Sequence, residues 1–298
     1  MAVPNQQDNQ TLMQKIETMD RRIIFLAIAI TIILPLIFPL GLPINVSPQV
    51  KDFYSAIENI PDGSVVLFPN DYDPASKAEL YPMTVAIINQ LFGPGKNGED
   101  RNLKVIGLGL FPAGPPLLEK AFKDVAQDKY GAKYGVDFVN LGYKEGREIV
   151  MASMGESIPK TFPTDFFGTS IDSLPIMKGI QNYGDIAIIV NVSAGYPGTK
   201  EWVQQVVSVF DISMVAGVTG VSAPEYYPYY SAGQLQGMLE GLKGAAEYET
   251  IIGHKGIATS GMDAQSLGHF VIVFFILAGN VLFLINKRHD TNAKGGQR

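Results

Sequence analysis

The sequence predicts an α/β protein, with one doubly wound, mostly parallel five-stranded sheet domain held outside the cytoplasm between two transmembrane helices. Between residues 64 and 250, short apolar runs alternate with amphipathic helical segments. Strands that are apolar on both faces and alternate with helices are typical of a parallel sheet covered on both sides. Two longer uncharged stretches flank this pattern, and basic residues lie at the outer end of each.

The first flanking stretch, residues 23–42, contains no charged residue over about 20 positions, which is what a helix needs to cross a bilayer. Arg21 and Arg22 precede it directly. A cleaved signal peptide is the alternative, but the apolar run is longer than usual and no small-residue cleavage site follows. We therefore predict a cytoplasmic tail over residues 1–22 and an uncleaved transmembrane helix over residues 23–42.

The second stretch, residues 269–286, is predicted to be another transmembrane helix. A buried helix of a soluble core is the alternative, but the stretch is apolar all round, and Lys287 and Arg288 follow at once. Asn280 lies near its middle and is expected to face a partner helix, because an unpaired amide is costly in lipid. Residues 287–298 form the predicted C-terminal tail.

Charge predicts the orientation of the chain and the class of its partners. Basic residues flank the outer ends of both spans, so we expect a two-pass protein of the cell membrane with both termini cytoplasmic. Residues 43–266 carry 16 Lys and Arg against 25 Asp and Glu, a net charge of −9. An acidic outer domain disfavours nucleic acid as a partner. The absence of cysteine excludes a disulfide framework and thiolate chemistry.

The elements follow in order within a predicted domain of residues 43–252. Ser47 and Pro48 are typical of a helix start, and apolar residues then recur at helical spacing. The predicted strands are residues 64–69, 104–110, 137–141, 185–192 and 212–218. Helices are predicted over residues 48–60, 73–92, 115–130, 145–153, 199–210 and 231–250. Since no linker rich in Gly, Ser and Pro divides them, one domain is favoured over two, and residues 253–268 are interpreted as a flexible tether.

Ligands in open α/β sheets bind beyond the carboxyl ends of the strands, and this rule selects the candidate site residues. The ligand-binding candidates are Asn70, Asp71, Asp73, Tyr143, Lys144, Ser193 and Thr219, and the catalytic candidates are Asp71, Lys144 and Glu145. Asp71 and Asp73 would share a divalent cation such as Mg²⁺ or Ca²⁺, the candidate cofactor. The alternative for Asp73 is a helix N-cap before Pro74, and for Lys144 and Glu145 it is a solvated loop pair.

Familiar catalytic motifs are absent from the sequence. A nucleophile elbow at Ser193 would need glycine at position 191, which is Asn191. His254, His269 and His289 all lie outside the strand ends, which argues against a Ser-His-Asp hydrolase and a His-rich zinc site. Neither a Walker loop nor a strand-linked GxGxxG motif occurs, which disfavours a conventional nucleotide enzyme.

Two features indicate recognition rather than catalysis. A proline-flanked aromatic cluster suits a contact surface or a platform for a sugar or peptide, and it consists of Tyr226, Tyr227, Tyr229 and Tyr230. Alternatively, these rings pack their own loop onto the domain. Gly233, Gly237 and Gly241 recur four residues apart in the predicted helix 231–250, and each costs about 1 kcal/mol of helix propensity. They therefore predict a close backbone approach, either to the sheet or to a neighbouring subunit.

These observations favour an extracytoplasmic interaction or ligand-binding module that is a subunit of a larger homo- or hetero-oligomeric membrane assembly. The alternative is a membrane-tethered, metal-assisted hydrolase or transferase, with its site at the carboxyl ends of the strands. That second function depends on fold analogy alone. A sensor is disfavoured because both cytoplasmic tails are too short for an output domain.

Overall fold

The computed structural model describes residues 20–98 and 101–295. The chain divides into two compact units. One unit is the domain from Pro43 to Thr259, and the other combines the chain up to Leu42 with the chain from Ser260 onward. The domain is an α/β domain built on a parallel sheet, as the alternation of apolar runs and helices predicts.

The sheet has six parallel strands in the order β3-β2-β1-β4-β5-β6. The strands are β1 (Val65–Asp71), β2 (Lys104–Gly109), β3 (Phe138–Tyr143), β4 (Ile188–Ser193), β5 (Ser213–Val218) and β6 (Met238–Glu240). All residues of β1 and β4 are buried, which explains their nearly continuous apolar sequences. The first five strands overlap the predicted ones, whereas β6 was not predicted.

Helices connect the strands and flank the domain. They are α1 (Arg21–Ile37), α2 (Pro48–Glu58), α3 (Lys77–Phe92), α4 (Gly114–Ala121), α5 (Glu148–Glu156), α6 (Ile158–Thr161), α7 (Thr199–Trp202), α8 (Ser208–Phe210), α9 (Ala223–Ser231), α10 (Gly241–Ile251) and α11 (Ile257–Gly295). Wider π-helical turns extend α4 over Phe122–Gln127 and join α7 to α8 over Val203–Val207. Ser47 precedes α2 and Pro48 opens it, as predicted.

Side chains from both faces of the sheet pack under helices. On one face, Ile189 and Met214 contribute to a core that also contains Trp202, Met154 of α5 and Phe162. On the other face, the packing of Phe122 against Phe68 and Phe138 and of Phe53 of α2 against Tyr248 of α10 extends the core. The sheet is therefore doubly wound.

The order of the strands places a switch point beside β1. From β1 the chain adds β2 and β3 on one side of the sheet, then returns through residues 144–187 to place β4 on the other side. In doubly wound folds this reversal opens a crevice at the carboxyl ends of the two central strands. The corresponding switch point here lies at the ends of β1 and β4.

Two predictions are wrong over residues 231–240. The sheet has a sixth strand there, and the predicted helix over residues 231–250 does not begin until Gly241. Residues 238–240 form β6 beside β5, and α10 begins only at Gly241. Gly233 and Gly241 have φ of 77° and 53°, which are turn conformations. Gly237 permits a close approach, because a Cβ there would lie 2.2 Å from the backbone nitrogen of Phe53. The glycine spacing therefore reflects two turns and one contact instead of a helix face.

The two predicted transmembrane helices receive unequal support. Among the described residues, only the apolar part of α11, Ile257–Ile285, is long and apolar enough to cross a membrane. Helix α1 ends at Ile37, before Pro39, and is shorter than the predicted span of residues 23–42. Residues 257–268, interpreted above as part of a flexible tether, are the first turns of α11.

We predict that Gly237→Ala lowers the free energy of unfolding of the domain by about 3 kcal/mol, because the added Cβ overlaps the backbone of α2 at Phe53. Gly233→Ala is the matched control. Its site is open, so it should cost only about 1 kcal/mol through its positive φ. Thermal unfolding of both variants measures the difference. A stabilising effect of Gly237→Ala would instead indicate a helix across residues 231–250.

Candidate functional site

The switch point beside β1 is the place where the sheet brings several polar side chains together at its carboxyl edge. Asp71, the last residue of β1, pairs in register with Ser193, the last residue of β4. Asn191 lies two residues earlier on β4, on the same face as Ser193. These positions therefore form one group, although more than a hundred residues separate the two strands along the chain.

Asp71 is fully buried and both of its carboxylate oxygens accept hydrogen bonds. Oδ1 accepts the backbone N–H of Leu110 at 2.5 Å, and Oδ2 accepts the indole N–H of Trp202 at 3.1 Å. Burial raises the pKa of Asp71 to about 7, because a charged carboxylate is costly away from water. The carboxyl group therefore joins β1 to the loop after β2 and to α7.

A second hydrogen-bonded group lies at the end of β4. The Oδ1 atom of Asn191 accepts the hydroxyls of Ser193 at 2.7 Å and Thr199 at 2.8 Å. The backbone N–H of Thr199 donates to the Ser193 hydroxyl at 2.9 Å, which fixes the first turn of α7. The Nδ2 atom of Asn191 is buried and has no partner in the described part of the chain.

Asn70 and Asp73 have structural contacts within the fold. The Asn70 amide donates to the carbonyl oxygen of Gly114 at 3.0 Å and accepts the hydroxyl of Thr84 at 3.2 Å, so it fixes the start of α4 against β1. The carboxylate of Asp73 accepts the backbone N–H of Ser76 at 3.0 Å, directly before α3. The helix itself begins at Lys77 with Ser76 as its N-cap, so Asp73 fixes the turn before α3 and is not the N-cap that the sequence offered as the alternative.

The proposed divalent cation has no ready-made cage in the described residues. No group of three or more His, Cys, Asp or Glu side chains there is arranged to hold a metal ion. Both oxygens of Asp71 and one oxygen of Asp73 already accept hydrogen bonds from the protein. A shared cation at this pair stays a prediction from the sequence.

The loops after β3 and β4 meet, although β2 and β1 separate these strands in the sheet. The guanidinium of Arg147 lies 4.6 Å from the ring centre of Tyr196, and the Tyr196 hydroxyl donates to the carboxylate of Glu148. Arg147 has φ 50° and ψ −115°, a conformation that is strained for a residue other than glycine. Such strain is concentrated at functional sites. We call this contact the Arg147–Tyr196 bridge.

The predicted residues Lys144 and Glu145 lie in the same exposed loop as Arg147, and Tyr143 is the exposed last residue of β3 before that loop. Thr219 lies at the end of β5, where its hydroxyl is 2.8 Å from that of Ser222 before α9. The sheet therefore collects these candidates at one edge but buries Asn70, Asp71 and Ser193. Sequence reasoning missed Arg147, Glu148, Asn191, Tyr196, Thr199 and Trp202. The Gly195-Tyr-Pro-Gly198 segment was the one local signal for a specialised loop.

Exposed apolar side chains lie in the segment between β3 and β4 and in the loop after β4. Ile149 is 74% exposed, Phe167 63% and Tyr196 49%. Phe167 packs edge-on against Phe166 with ring centres 5.2 Å apart, and Phe166 lies beside Gly142 at the end of β3. We call Tyr143, Ile149, Phe166, Phe167 and Tyr196 the carboxyl-edge patch.

The tyrosine cluster predicted for recognition lies on α9. Tyr226 is buried in the core, and Tyr229 accepts a hydrogen bond from Gln204 at 3.2 Å. Tyr227 donates to Glu240 of β6, and Tyr230 donates to Asp52 of α2 at 2.5 Å. These contacts match the alternative that the rings pack their own segment onto the domain. The side chain of Asn280 is exposed on α11.

Comparisons with known proteins add little to this description. No protein-family model matches the sequence, and no curated protein matches it. Among solved structures, the trehalose-6-phosphate synthase OtsA aligns over 79% of this chain with 9% sequence identity and a TM-score of 0.29. The chain covers 47% of that structure, about half of its length. A likeness this weak supports no conclusion about function.

We predict that the free energy of unfolding falls as the pH rises from about 4 to about 7, because folded Asp71 retains a proton that the unfolded chain has released. The slope from this group is at most about 1.4 kcal/mol per pH unit, and it disappears above the folded pKa. Asp71→Asn removes the titration and should flatten the curve, which denaturant unfolding at a series of pH values measures. The exposed Asp172→Asn is the control. Equal slopes for the wild type and Asp71→Asn would contradict the raised pKa.

Proposed function

We propose that this protein is a membrane-anchored interaction module, a subunit of a larger membrane assembly that binds its partner through the carboxyl-edge patch. The observation that carries the proposal is the exposure of the aromatic and aliphatic side chains of this patch. Clustered exposed apolar residues mark interaction sites, and aromatic residues and arginine are enriched in interfaces.

The polar side chains at this edge support binding more than catalysis. Asp71, Asn191 and Ser193 bond to the protein itself and lie below the surface. The side chains that face outward are mainly aromatic and aliphatic, with the cations of Lys144 and Arg147 among them. Such a surface offers a partner a large apolar contact and two charge-assisted hydrogen bonds, which is the composition of a protein interface.

Membrane anchorage is supported by the outward surfaces of α1 and α11. Phe25 and Leu26 on α1 and Phe274, Leu277 and Phe283 on α11 are all exposed. Only 6% of the most apolar window of α11 is buried. In a membrane, lipid would cover these side chains, whereas exposing them to water would carry a large free-energy cost. We include in the proposal that both helices cross the membrane, that both termini are cytoplasmic and that the domain lies outside.

The alternative, a membrane-tethered hydrolase or transferase, is supported by Asp71. Its carboxyl group lies at the switch point, and a pKa of about 7 suits a group that exchanges protons near neutral pH. Since the carboxyl is fully buried, a substrate would reach it only if the elements around it moved. Loss of a catalysed reaction in Asp71→Asn, with partner binding intact, would favour this alternative.

The proposed topology predicts the side of the membrane on which single cysteines react. The natural chain has no cysteine, so Ser173→Cys in the domain and Thr291→Cys in the C-terminal tail each provide one thiol. A maleimide that cannot cross membranes should label position 173 on intact cells and position 291 only after permeabilisation. Labelling of both positions on intact cells would contradict cytoplasmic termini.

The proposed partner surface predicts the effect of making the patch polar. Ile149→Ser combined with Phe167→Ser should reduce the partner recovered by crosslinking in native membranes at least about tenfold, since buried anchor residues contribute most of the binding energy. Val209→Ser on α8 is the matched control, because Val209 is 64% exposed and lies outside the patch. Thermal unfolding should be unchanged in both. Equal recovery from the patch variant and the control would exclude the patch as the interface.

A further inference from the structure

A cleft of about 570 Å³ lies at the opposite edge of the sheet from the carboxyl-edge patch. Its walls come from the carboxyl-terminal ends of α2, α3 and α10, with Tyr130 after the π-helical turn. Tyr54, Pro94, Tyr130, Ile251 and Ile252 supply apolar and aromatic surface. This volume is within the range of small-molecule sites.

The polar groups in the wall of the cleft are held in place by the protein. The Glu58 carboxylate accepts the backbone N–H of Lys96 at 2.6 Å, the Gln90 amide at 3.1 Å and the Arg101 guanidinium at 3.3 Å. The Asn89 Oδ1 atom accepts the Tyr130 hydroxyl at 3.1 Å. These contacts fix the carboxylate and amides before any ligand arrives, which lowers the entropic cost of binding.

Three further groups at the cleft have no hydrogen-bond partner in the described part of the chain. They are the Tyr54 hydroxyl, the Lys96 ammonium and the His254 imidazole. The fixed carboxylate of Glu58 lies in the same wall as an acceptor, whereas the Asn89 Oδ1 atom already accepts the Lys129 ammonium and the Tyr130 hydroxyl. The cleft therefore offers both donors and acceptors beside apolar surface.

The charges around the cleft largely cancel. Glu58 pairs with Arg101, and the negative ends of three helix dipoles oppose the cations of Lys96 and Lys129. A strongly charged ligand of either sign gains little in such a site. A neutral molecule with hydroxyl groups at its edges and an apolar face matches the surroundings better.

We infer that this cleft is a binding site for a neutral sugar of one or two rings. The ring face would lie against the tyrosines and isoleucines, and its hydroxyls would bond to Tyr54, Lys96, Glu58 and His254. The sugar is either a free molecule or the headgroup of a glycolipid. The second source is relevant because His254 is three residues before Ile257, the first residue of the apolar helix α11.

The test uses the full chain in a detergent that carries no sugar group, because glucoside and maltoside detergents would occupy the site. Glucose, galactose, N-acetylglucosamine and maltose are titrated by calorimetry, with glucuronate and glucosamine as charged analogues. In a second arm, the protein in nanodiscs of phosphatidylcholine with or without glucosyl diacylglycerol is analysed by native mass spectrometry. The lipid arm depends on the proposed membrane insertion, and the free-sugar arm does not.

We expect a neutral sugar or the glycolipid to bind, and Tyr54→Phe and Lys96→Gln each to weaken that binding about threefold to tenfold, as loss of one hydrogen bond does. Tyr227→Phe and Lys123→Gln make the same changes elsewhere and should leave it unchanged. Binding of the free sugar or of the glycolipid alone identifies the source. No binding in either arm, tighter binding of a charged analogue, or equal effects of the control variants would overturn the inference.

Discussion

The burial of β1 between β2 and β4 is the constraint on which the rest of the domain depends. Because every residue of β1 is buried, the polar side chains at its end must find partners inside the protein. Asn70 therefore bonds to the start of α4, and Asp71 bonds to the loop after β2 and to Trp202 of α7. The two polar residues fix the elements on both sides of the switch point.

Because the buried polar side chains hydrogen-bond within the protein, the carboxyl edge can be described as two layers. The lower layer contains Asp71, Asn191, Ser193 and Thr199, which hydrogen-bond within the protein. The upper layer contains the Arg147–Tyr196 bridge and the exposed apolar residues of the patch. The strain at Arg147 is maintained by the upper layer, because the ring of Tyr196 and the turn before α5 hold that residue. The reactive groups are thus enclosed, and contact groups form the surface.

Much of the fold was predictable because strands that are buried on both faces of the sheet have nearly continuous apolar sequences. The apolar runs at β1, β2, β3, β4 and β5 indicated strands, and the alternation with helices indicated a parallel sheet. Carboxyl-edge residues such as Asp71 and Lys144 were also predictable, since parallel strands end at one edge. Strand β6 was not predictable, because three residues are too few to show a periodic pattern. In addition, the neighbouring glycines recur every four residues, a spacing that suggested one face of a helix.

The sequence by itself determined the α/β class, five of the strands and two apolar flanking segments, because these depend on local composition and period. Only the tertiary structure decided that Gly237 faces α2, that Tyr226 of α9 packs into the core and that Arg147 meets Tyr196 across two intervening strands. Such contacts join residues far apart in the chain, and their existence depends on strand order and register. The role of Asp71 was decided in the same way, since burial in the folded domain raises its pKa, while its hydrogen bonds from Leu110 and Trp202 act against that rise.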